Sequence, residues 1–408
     1  MGNLIILLLQ VVVICSVARA VGWIFEKLKQ PRVVGEMVAG LLLGASFLGW
    51  IAPSVTAFMF HPQSLGSLKM LSQLGLMLFM FQVGGELNLK DVLRLGRTVV
   101  AISYVGILIP FASGAGLALY LYKRLSPPGV PFLSFALFMG IAMSITAFPV
   151  LARILVEKGL LQTRVGSIAL ASAAIDDVTA WCLLALLSIQ VASGAPPLFL
   201  RFAGLGCYVA LMLTVRYLLG RSRGQVNAYF TNKPLPALLF MFASALVTSW
   251  LGIHVAFGAF VAGIVLPKQE GQRAGAIKRI QPFTTIILLP LFFALTGLRT
   301  HVLLMDSADL WLYCGLIILV AVFGKLVGCA VSGRISGMNG REALALGILM
   351  NTRGLVELII LNVGLDLHII SPALFSMMVI MALFTTIMTG PLLEVVYSRR
   401  ASPALLAA

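Results

Sequence analysis

The amino-acid sequence predicts an all-α, polytopic membrane protein whose 13 transmembrane helices form a 6+1+6 inverted repeat with two crossed, discontinuous helices. Three observations predict this fold class. First, 60% of the 408 residues are hydrophobic and only 11% are charged, and apolar runs of about 20 residues, long enough to span a bilayer, recur along the chain. Second, loops rich in Lys and Arg alternate with loops poor in them. Third, the fifth span of each half is interrupted by polar residues.

Charged or Pro/Gly-rich joints separate the apolar runs and define their order. The predicted spans cover approximately residues 3–25, 32–50, 65–85, 97–121, 132–155, 164–191, 198–219, 235–251, 254–267, 282–298, 309–333, 341–364 and 369–397. The ninth and tenth spans are short. We interpret the first run as a span and not as a cleaved signal peptide, because no basic residue precedes it.

The distribution of basic residues predicts the orientation of the chain. Of the 29 Lys and Arg residues, 21 lie in or beside the loops that follow the odd-numbered spans, and five lie beside the other loops. Because short basic loops stay in the cytoplasm, we expect a cytoplasmic C-terminus and an external N-terminus, in a bacterial inner membrane. The net charge of +15 therefore reflects topology within the lipid bilayer. No continuous basic patch indicates nucleic acid as a partner.

The two interrupted spans occupy matching positions in the two halves. If span 7 is a connector, spans 1–6 begin outside and spans 8–13 begin inside, as in an inverted repeat. Span 5 is broken by Ser144 to Pro149 and span 12 by Asn351 to Gly354. Pro149 removes a backbone donor and Gly354 weakens a helix, so both spans are expected to unwind at their centres. Two breaks crossing at mid-membrane would bring helix ends and free carbonyl groups together.

Five charged side chains lie deep in the predicted spans, namely Asp176, Asp177, Lys325, Arg353 and Glu357. Each costs roughly 3 kcal/mol at that depth, so the fold has to pair or hydrate them. Adjacent helix residues point about 100° apart, so one aspartate can pair with a cation while the other faces an aqueous cavity. Lys325 is the natural counter-charge. Arg353 and Glu357, four residues apart, can satisfy each other.

A buried carboxylate of this kind predicts a particular chemistry. Desolvation favours the protonated form of a carboxylate, so a proton and a metal cation compete for one site. If the site faces either side only when occupied, Na⁺ or K⁺ moves one way and H⁺ the other. Thr146 and the free carbonyls around it would add the hard, neutral oxygen ligands suited to an alkali cation. Asn351 is expected to support the second break, and a buried structural ion-pair cluster is the alternative interpretation.

Glu36, the histidines and the cysteines are not assigned to the predicted ion site. Glu36 is interpreted as a helix-start carboxylate at the membrane interface. No two of the four histidines have metal-ligand spacing, and no cofactor is expected apart from the transported ions. The cysteines are interpreted as small core residues without disulfides or metal. They are Cys15, Cys182, Cys207, Cys314 and Cys329.

These motifs together resemble the monovalent cation:proton antiporter superfamily, specifically its second subfamily of bacterial Na⁺/H⁺ and K⁺/H⁺ antiporters and plant cation/H⁺ exchangers. The resemblance covers most of the chain. The segments that carry it are residues 31–44, 144–149, 176–177, 325 and 350–358.

The resemblance implies one membrane transporter domain over residues 1–408 that forms a homodimer. Residues 1–96 and 234–300 would be a dimerisation scaffold, and 198–219 a linker helix. The remaining helices, in 97–191 and 308–397, would be a transport core that moves like an elevator. Carried over by motif, Asp177 is the carboxylate that binds ion and proton, and Asp176 is the partner of Lys325. Relatives with these three residues commonly move more protons than cations.

The expected function is therefore secondary monovalent cation/proton antiport that serves pH homeostasis. An enzyme is not expected, because no Ser/Lys, HExxH or GxGD arrangement occurs. The alternative is a K⁺ efflux channel-like pathway on the same fold, and organic-anion symport is disfavoured by Lys325 beside the aspartates. Na⁺ and K⁺ both stay open, since the 351–354 motif favours the plant-like branch and the double aspartate favours Na⁺-type members.

Overall fold

Most of the residues that the structure describes lie in α-helices. A computed structural model describes residues 3–28, 30–44, 46–86, 96–161, 163–191, 197–221, 234–266 and 275–397, and no strand occurs in these ranges. The α-helices in chain order are α1 Asn3–Lys27, α2 Arg32–Leu43, α3 Leu48–Ile51, α4 Pro53–Met59, α5 Pro62–Glu86, α6 Gly96–Leu125, α7 Phe132–Ser144, α8 Phe148–Glu157, α9 Arg164–Val191, α10 Leu198–Arg221, α11 Pro234–Trp250, α12 Val255–Val265, α13 Gly275–Phe283, α14 Leu289–Arg299, α15 Ala308–Ile335, α16 Gly340–Met350, α17 Leu355–Asp366 and α18 Pro372–Val396. A π-helical turn, Thr284–Leu288, joins α13 to α14, and a 3₁₀ turn, Val302–Leu304, precedes α15.

The predicted all-helical membrane architecture is confirmed. Within the described residues, ten helical stretches are long and apolar enough to cross a membrane, and α16 with α17 forms a further candidate that is bent by 42°. Helices α11 and α12 are apolar but shorter. Within the described residues each predicted span thus overlaps one or more helices, while the number of membrane crossings stays a prediction.

The chain divides into two compact units, each of which takes segments from both halves of the sequence. The first unit comprises residues 1–20, 39–89 and 184–299, and the second comprises 21–38, 90–183 and 300–408. Nine of the basic residues that predict the orientation lie outside the described residues. These are Lys29, Lys90, Arg94, Arg223, Lys233, Lys268, Arg273, Arg399 and Arg400. The orientation, like the scaffold and core assignment, therefore stays a prediction.

Close approach at glycines packs the helices of the first unit. A Cβ atom on Gly40 of α2 would overlap the carbonyl oxygen of Phe293 in α14, and one on Gly297 of α14 would overlap the carbonyl of Gly40. Gly263 of α12 meets the carbonyl of Phe81 in α5 in the same way. Because lipid chains are as apolar as the helices, such close contacts are a main source of helix association in membranes.

The two interrupted helices meet in the second unit, as the sequence predicts. Helix α7 ends at Ser144 and α8 begins at Phe148, while α16 ends at Met350 and α17 begins at Leu355. The backbone N–H of Ala147, in the first break, donates to the carbonyl oxygen of Thr352 in the second at 2.9 Å. The missing side chain of Gly354 leaves room for Val150 of α8, whose Cγ2 would lie 2.7 Å from an added Cβ.

The cysteines differ in part from expectation. All five are free thiols, and Cys314 and Cys329 are buried. Cys182 and Cys207 are exposed, so the prediction that every cysteine is a core residue does not hold for these two. The outer face of a membrane helix is itself apolar, so hydrophobicity does not distinguish it from the core.

We expect Gly40→Ala to lower thermal stability, because the added methyl group would overlap the Phe293 carbonyl and overpacking costs about 1–3 kcal/mol. Gly66→Ala in α5 is the matched control, since nothing lies within 4 Å of its added Cβ. Thermal unfolding of the purified variants in detergent compares them. Equal melting temperatures would contradict the close packing of α2 on α14.

Candidate ion-binding site

Asp176 lies in the middle of α9 and is held by donors from three other segments. Its Oδ1 accepts a hydrogen bond from Ser103 Oγ of α6 at 2.8 Å. Its Oδ2 lies 2.9 Å from Thr146 Oγ1 in the first break and 2.6 Å from Lys325 Nζ of α15. The carboxylate is 1% exposed, and both of its oxygen atoms are satisfied.

Lys325 uses all three protons of its ammonium group. Besides Asp176, Nζ donates to the carbonyl oxygens of Gly106 at 2.8 Å and Ser144 at 2.6 Å. The side chain is fully buried. A buried ion pair is stable only when its remaining hydrogen-bonding capacity is also satisfied, and this pair meets that condition.

Asp177, the next residue, has a different environment. It is fully buried, yet within the described residues neither carboxylate oxygen has a hydrogen-bond partner. The backbone N–H of Phe148 interacts electrostatically with this carboxylate, but the two groups do not form a well-aligned hydrogen bond. Phe148 is the first residue of α8, so the positive end of a helix dipole faces Asp177. An unpartnered buried carboxylate is costly unless a proton or a cation neutralises it.

The hydroxyl group of Thr146 contacts two acceptors, one in α9 and one in α16. Its Oγ1 lies 2.9 Å from Asp176 Oδ2 and 2.8 Å from the carbonyl oxygen of Met350, the last residue of α16. A hydroxyl group has one proton to donate, so these two acceptors share it. In this structure Thr146 therefore links Asp176 to the second break, and its part as a ligand of the transported cation stays a prediction.

Arg353 and Glu357 form a second buried ion pair. Arg353 Nη1 lies 2.8 Å from Glu357 Oε2. The same guanidinium donates from Nη1 to the carbonyl of Ala142 at 2.7 Å and from Nη2 to that of Met143 at 2.6 Å. Lys325 binds the carbonyl of Ser144, so two cationic side chains together bind the last three carbonyls of α7. The C-terminal end of a helix has unsatisfied acceptors and a partial negative charge, which these side chains offset.

Asn351 lies at the C-terminal end of α16 and is 2% exposed. Its Nδ2 lies 3.9 Å from Met388 Sδ, a weak contact, and its Oδ1 is buried without a hydrogen-bond partner among the described residues. This amide oxygen is a neutral, hard ligand atom in the break, of the kind an alkali cation binds.

Glu36 is more buried than the sequence suggests. It lies in the second turn of α2 and is 5% exposed, with its Oε1 3.5 Å from Arg32 Nε. Burial inside the protein does not give the depth of Glu36 in the membrane, so its place at the interface stays a prediction.

Sequence reasoning missed the threonines of α18. Thr386 is buried and contacts the backbone N–H and carbonyl of Arg353 through its hydroxyl. Thr385 and Thr389 are buried in the same helix. Three threonines within five residues of an apolar span were the available signal, but threonine in a membrane helix also bonds to its own backbone.

We expect Lys325→Ala to destabilise the protein by about 3–5 kcal/mol, because it leaves the buried charge of Asp176 without its counter-charge. Lys158→Ala is the matched control. Lys158 pairs with Glu394, but the side chain of Glu394 is 58% exposed, and exposed pairs contribute at most about 1 kcal/mol. Thermal unfolding in detergent compares the two, and similar losses would contradict the importance of the buried pair.

The chain matches known proteins along nearly its whole length. Residues 12–397 match the family described as sodium/hydrogen exchanger, transmembrane. The chain is 41% identical over 404 residues to the Na(+)/H(+) antiporter NhaS4 of Synechocystis sp., which covers 97% of this chain and 98% of that protein. It is 39% identical over 401 residues to cation/H(+) antiporter 17 of Arabidopsis thaliana, covering 96% of this chain and 48% of that protein. The chain thus spans about half the length of this plant relative.

A solved structure has a similar fold. The sodium proton antiporter MjNhaP1 from Methanocaldococcus jannaschii superposes with a TM-score of 0.65 at 17% identity, over 96% of this chain and 99% of that one. The named relatives are antiporters, which are transporters and not enzymes. The match over residues 12–397 and the identity to these relatives show that the chain belongs to the transmembrane sodium/hydrogen exchanger family.

Proposed function

We propose that the protein exchanges a monovalent cation, Na⁺ or K⁺, for protons across the membrane. The observation that carries the proposal is the buried Asp177 carboxylate, whose two oxygens have no hydrogen-bond partner in the described part of the chain. The names of the relatives, a Na⁺/H⁺ antiporter and a cation/H⁺ antiporter, support it.

Competition at Asp177 is the proposed basis of exchange. A single buried carboxylate can be neutralised by a proton or by a cation, but not by both at once. Each arrival of one ion therefore requires the departure of the other. The alkali cation is a transported substrate in this scheme. Asp177 would bind it, and neutral oxygens of the breaks, such as the unpartnered Asn351 Oδ1, are candidate further ligands.

Asp176 and Lys325 have a fixed, supporting part in this proposal. Their pair is saturated, with every ammonium proton and both carboxylate oxygens used. It adds no net charge and keeps the first break attached to α9 and α15. Arg353 and Glu357 form the second buried pair, in which Arg353 Nε and Glu357 Oε1 have no hydrogen-bond partner among the described residues. We assign the exchanged charge to Asp177 because both of its oxygens lack a hydrogen-bond partner there.

We infer an elevator-like movement of residues 97–191 and 308–397 as a transport core against a scaffold of residues 1–96 and 234–300, in a homodimer. All of the charged side chains at the site belong to one compact unit, which supports their moving together. The predicted orientation has the N-terminus outside and the C-terminus in the cytoplasm of a bacterial inner membrane. It is supported by the distribution of basic residues.

The proposal is tested with protein reconstituted in liposomes that contain a pH-sensitive dye. We expect Na⁺ or K⁺ addition to drive proton movement in wild type, and Asp177→Asn to reduce it to the level of protein-free liposomes. Asp309→Asn is the matched carboxylate-to-amide control, because Asp309 is exposed in the first turn of α15; it should retain exchange.

The pH dependence has a definite sign. Raising the pH removes the competing proton, so the cation concentration for half-maximal rate should fall as pH rises. Cation flux without proton movement would contradict antiport and favour the channel-like pathway. Exchange that survives Asp177→Asn would exclude this carboxylate as the shared site.

A further inference from the structure

We propose that Thr386 is a positioning residue of the exchange site, which holds the unwound backbone of Arg353 in the geometry that cation binding at Asp177 requires. This inference rests on the proposed function. Thr386 lies in α18, a helix of the proposed transport core in which no residue has so far been assigned to the site.

One hydroxyl group satisfies both backbone polar groups of Arg353. Thr386 Oγ1 accepts a hydrogen bond from the Arg353 N–H at 3.1 Å and donates to the Arg353 carbonyl oxygen at 2.5 Å. The carbonyl of Ala382, one turn earlier in α18, lies 2.8 Å from the same oxygen, so the two carbonyls share the single hydroxyl proton and the shorter contact is with Arg353. Thr386 and Arg353 are both fully buried.

The need for such a contact follows from the break. Arg353 lies between the end of α16 at Met350 and the start of α17 at Leu355, so regular helical hydrogen bonds are interrupted there. Inside a bilayer no water replaces them, and each unsatisfied backbone group costs several kcal/mol. Thr386 thus substitutes for the missing helical partners. It also fixes where the unwound backbone lies against α18.

Contacts on either side of Arg353 connect this position to Asp177. The preceding residue, Thr352, accepts the N–H of Ala147, and the N–H of the residue after Ala147, Phe148, acts on the Asp177 carboxylate. The Arg353 guanidinium binds the carbonyls at the end of α7, on the other side of the first break. A displaced Arg353 backbone would therefore shift both ends of the break that faces Asp177.

The neighbouring Thr385 provides a matched control within the same helix. It is also fully buried, but its hydroxyl donates to carbonyls of its own helix, Met381 at 2.9 Å and Ala382 at 3.1 Å. Replacing either threonine by valine removes a hydroxyl and keeps the branched shape. Only the Thr386 substitution removes a partner of the break.

The experiment compares wild type, Thr386→Val, Thr386→Ser and Thr385→Val in liposomes, with the initial exchange rate measured against cation concentration. We expect Thr386→Val to raise the cation KM about tenfold, because both backbone polar groups of Arg353 lose this partner, with a smaller change in the maximal rate. Thr386→Ser keeps the hydroxyl and should restore the wild-type KM. Thr385→Val should match wild type.

Three results would overturn the inference while wild type still exchanges ions: the same KM in Thr386→Val and Thr385→Val, a Thr386→Val defect confined to the maximal rate, or a failure of serine to restore the KM. If Thr386→Val does not fold, Thr386→Cys carries the same test, because a thiol is a weak donor and acceptor of similar size. Absence of exchange in wild type would instead contradict the proposed function. In that case, cation-dependent thermal stabilisation of the purified variants still tests the positioning role.

Discussion

The buried contact between Lys325 and the first broken helix is the interaction on which the site depends. Unwinding a helix inside a membrane leaves carbonyl oxygens and N–H groups that lipid cannot satisfy. Lys325 meets one of these carbonyls, at Ser144, and at the same time neutralises Asp176. Arg353 meets the two carbonyls before it. The break is stable because the cationic side chains of Lys325 and Arg353 replace its lost hydrogen bonds.

Because Lys325 pairs with Asp176, the two adjacent aspartates have different environments. Successive residues of a helix point about 100° apart, so they face different surroundings whatever the fold. Asp176 faces the serine, threonine and lysine that saturate it, whereas Asp177 faces the start of α8, where no well-formed hydrogen bond reaches it among the described residues. A saturated carboxylate stabilises the break, and an unsaturated one remains open to a proton or a cation.

The second break is held by different means. Its backbone is joined to the first break through Thr352 and to α18 through Thr386. These are neutral hydrogen bonds, whereas the carbonyls of α7 bind charged groups. The charged side chain of this break, Arg353, is paired with Glu357, so under the proposed function a bound proton or cation would offset the charge at Asp177.

Parts of this arrangement were predictable and parts were not. Charges in apolar runs have to find partners, so the sequence led to the expectation that Lys325 meets an aspartate, and the structure has Lys325 2.6 Å from Asp176. Polar and helix-weakening residues at 144–149 and 351–354 predicted the positions of the two breaks. The contact of Thr386 with Arg353 and the hydrogen bond of Thr146 with Asp176 both depend on tertiary packing, because each joins residues 30 or more positions apart in the chain. A threonine in an apolar helix does not reveal such a contact in advance.

The most direct test of the account measures protons released when a cation binds. Purified protein in weakly buffered detergent solution, with a pH indicator, is titrated with Na⁺ and with K⁺, beside Asp177→Asn. We expect wild type to release protons on cation addition and Asp177→Asn to release none. Cation binding to wild type without proton release would contradict the claim that one carboxylate holds either ion.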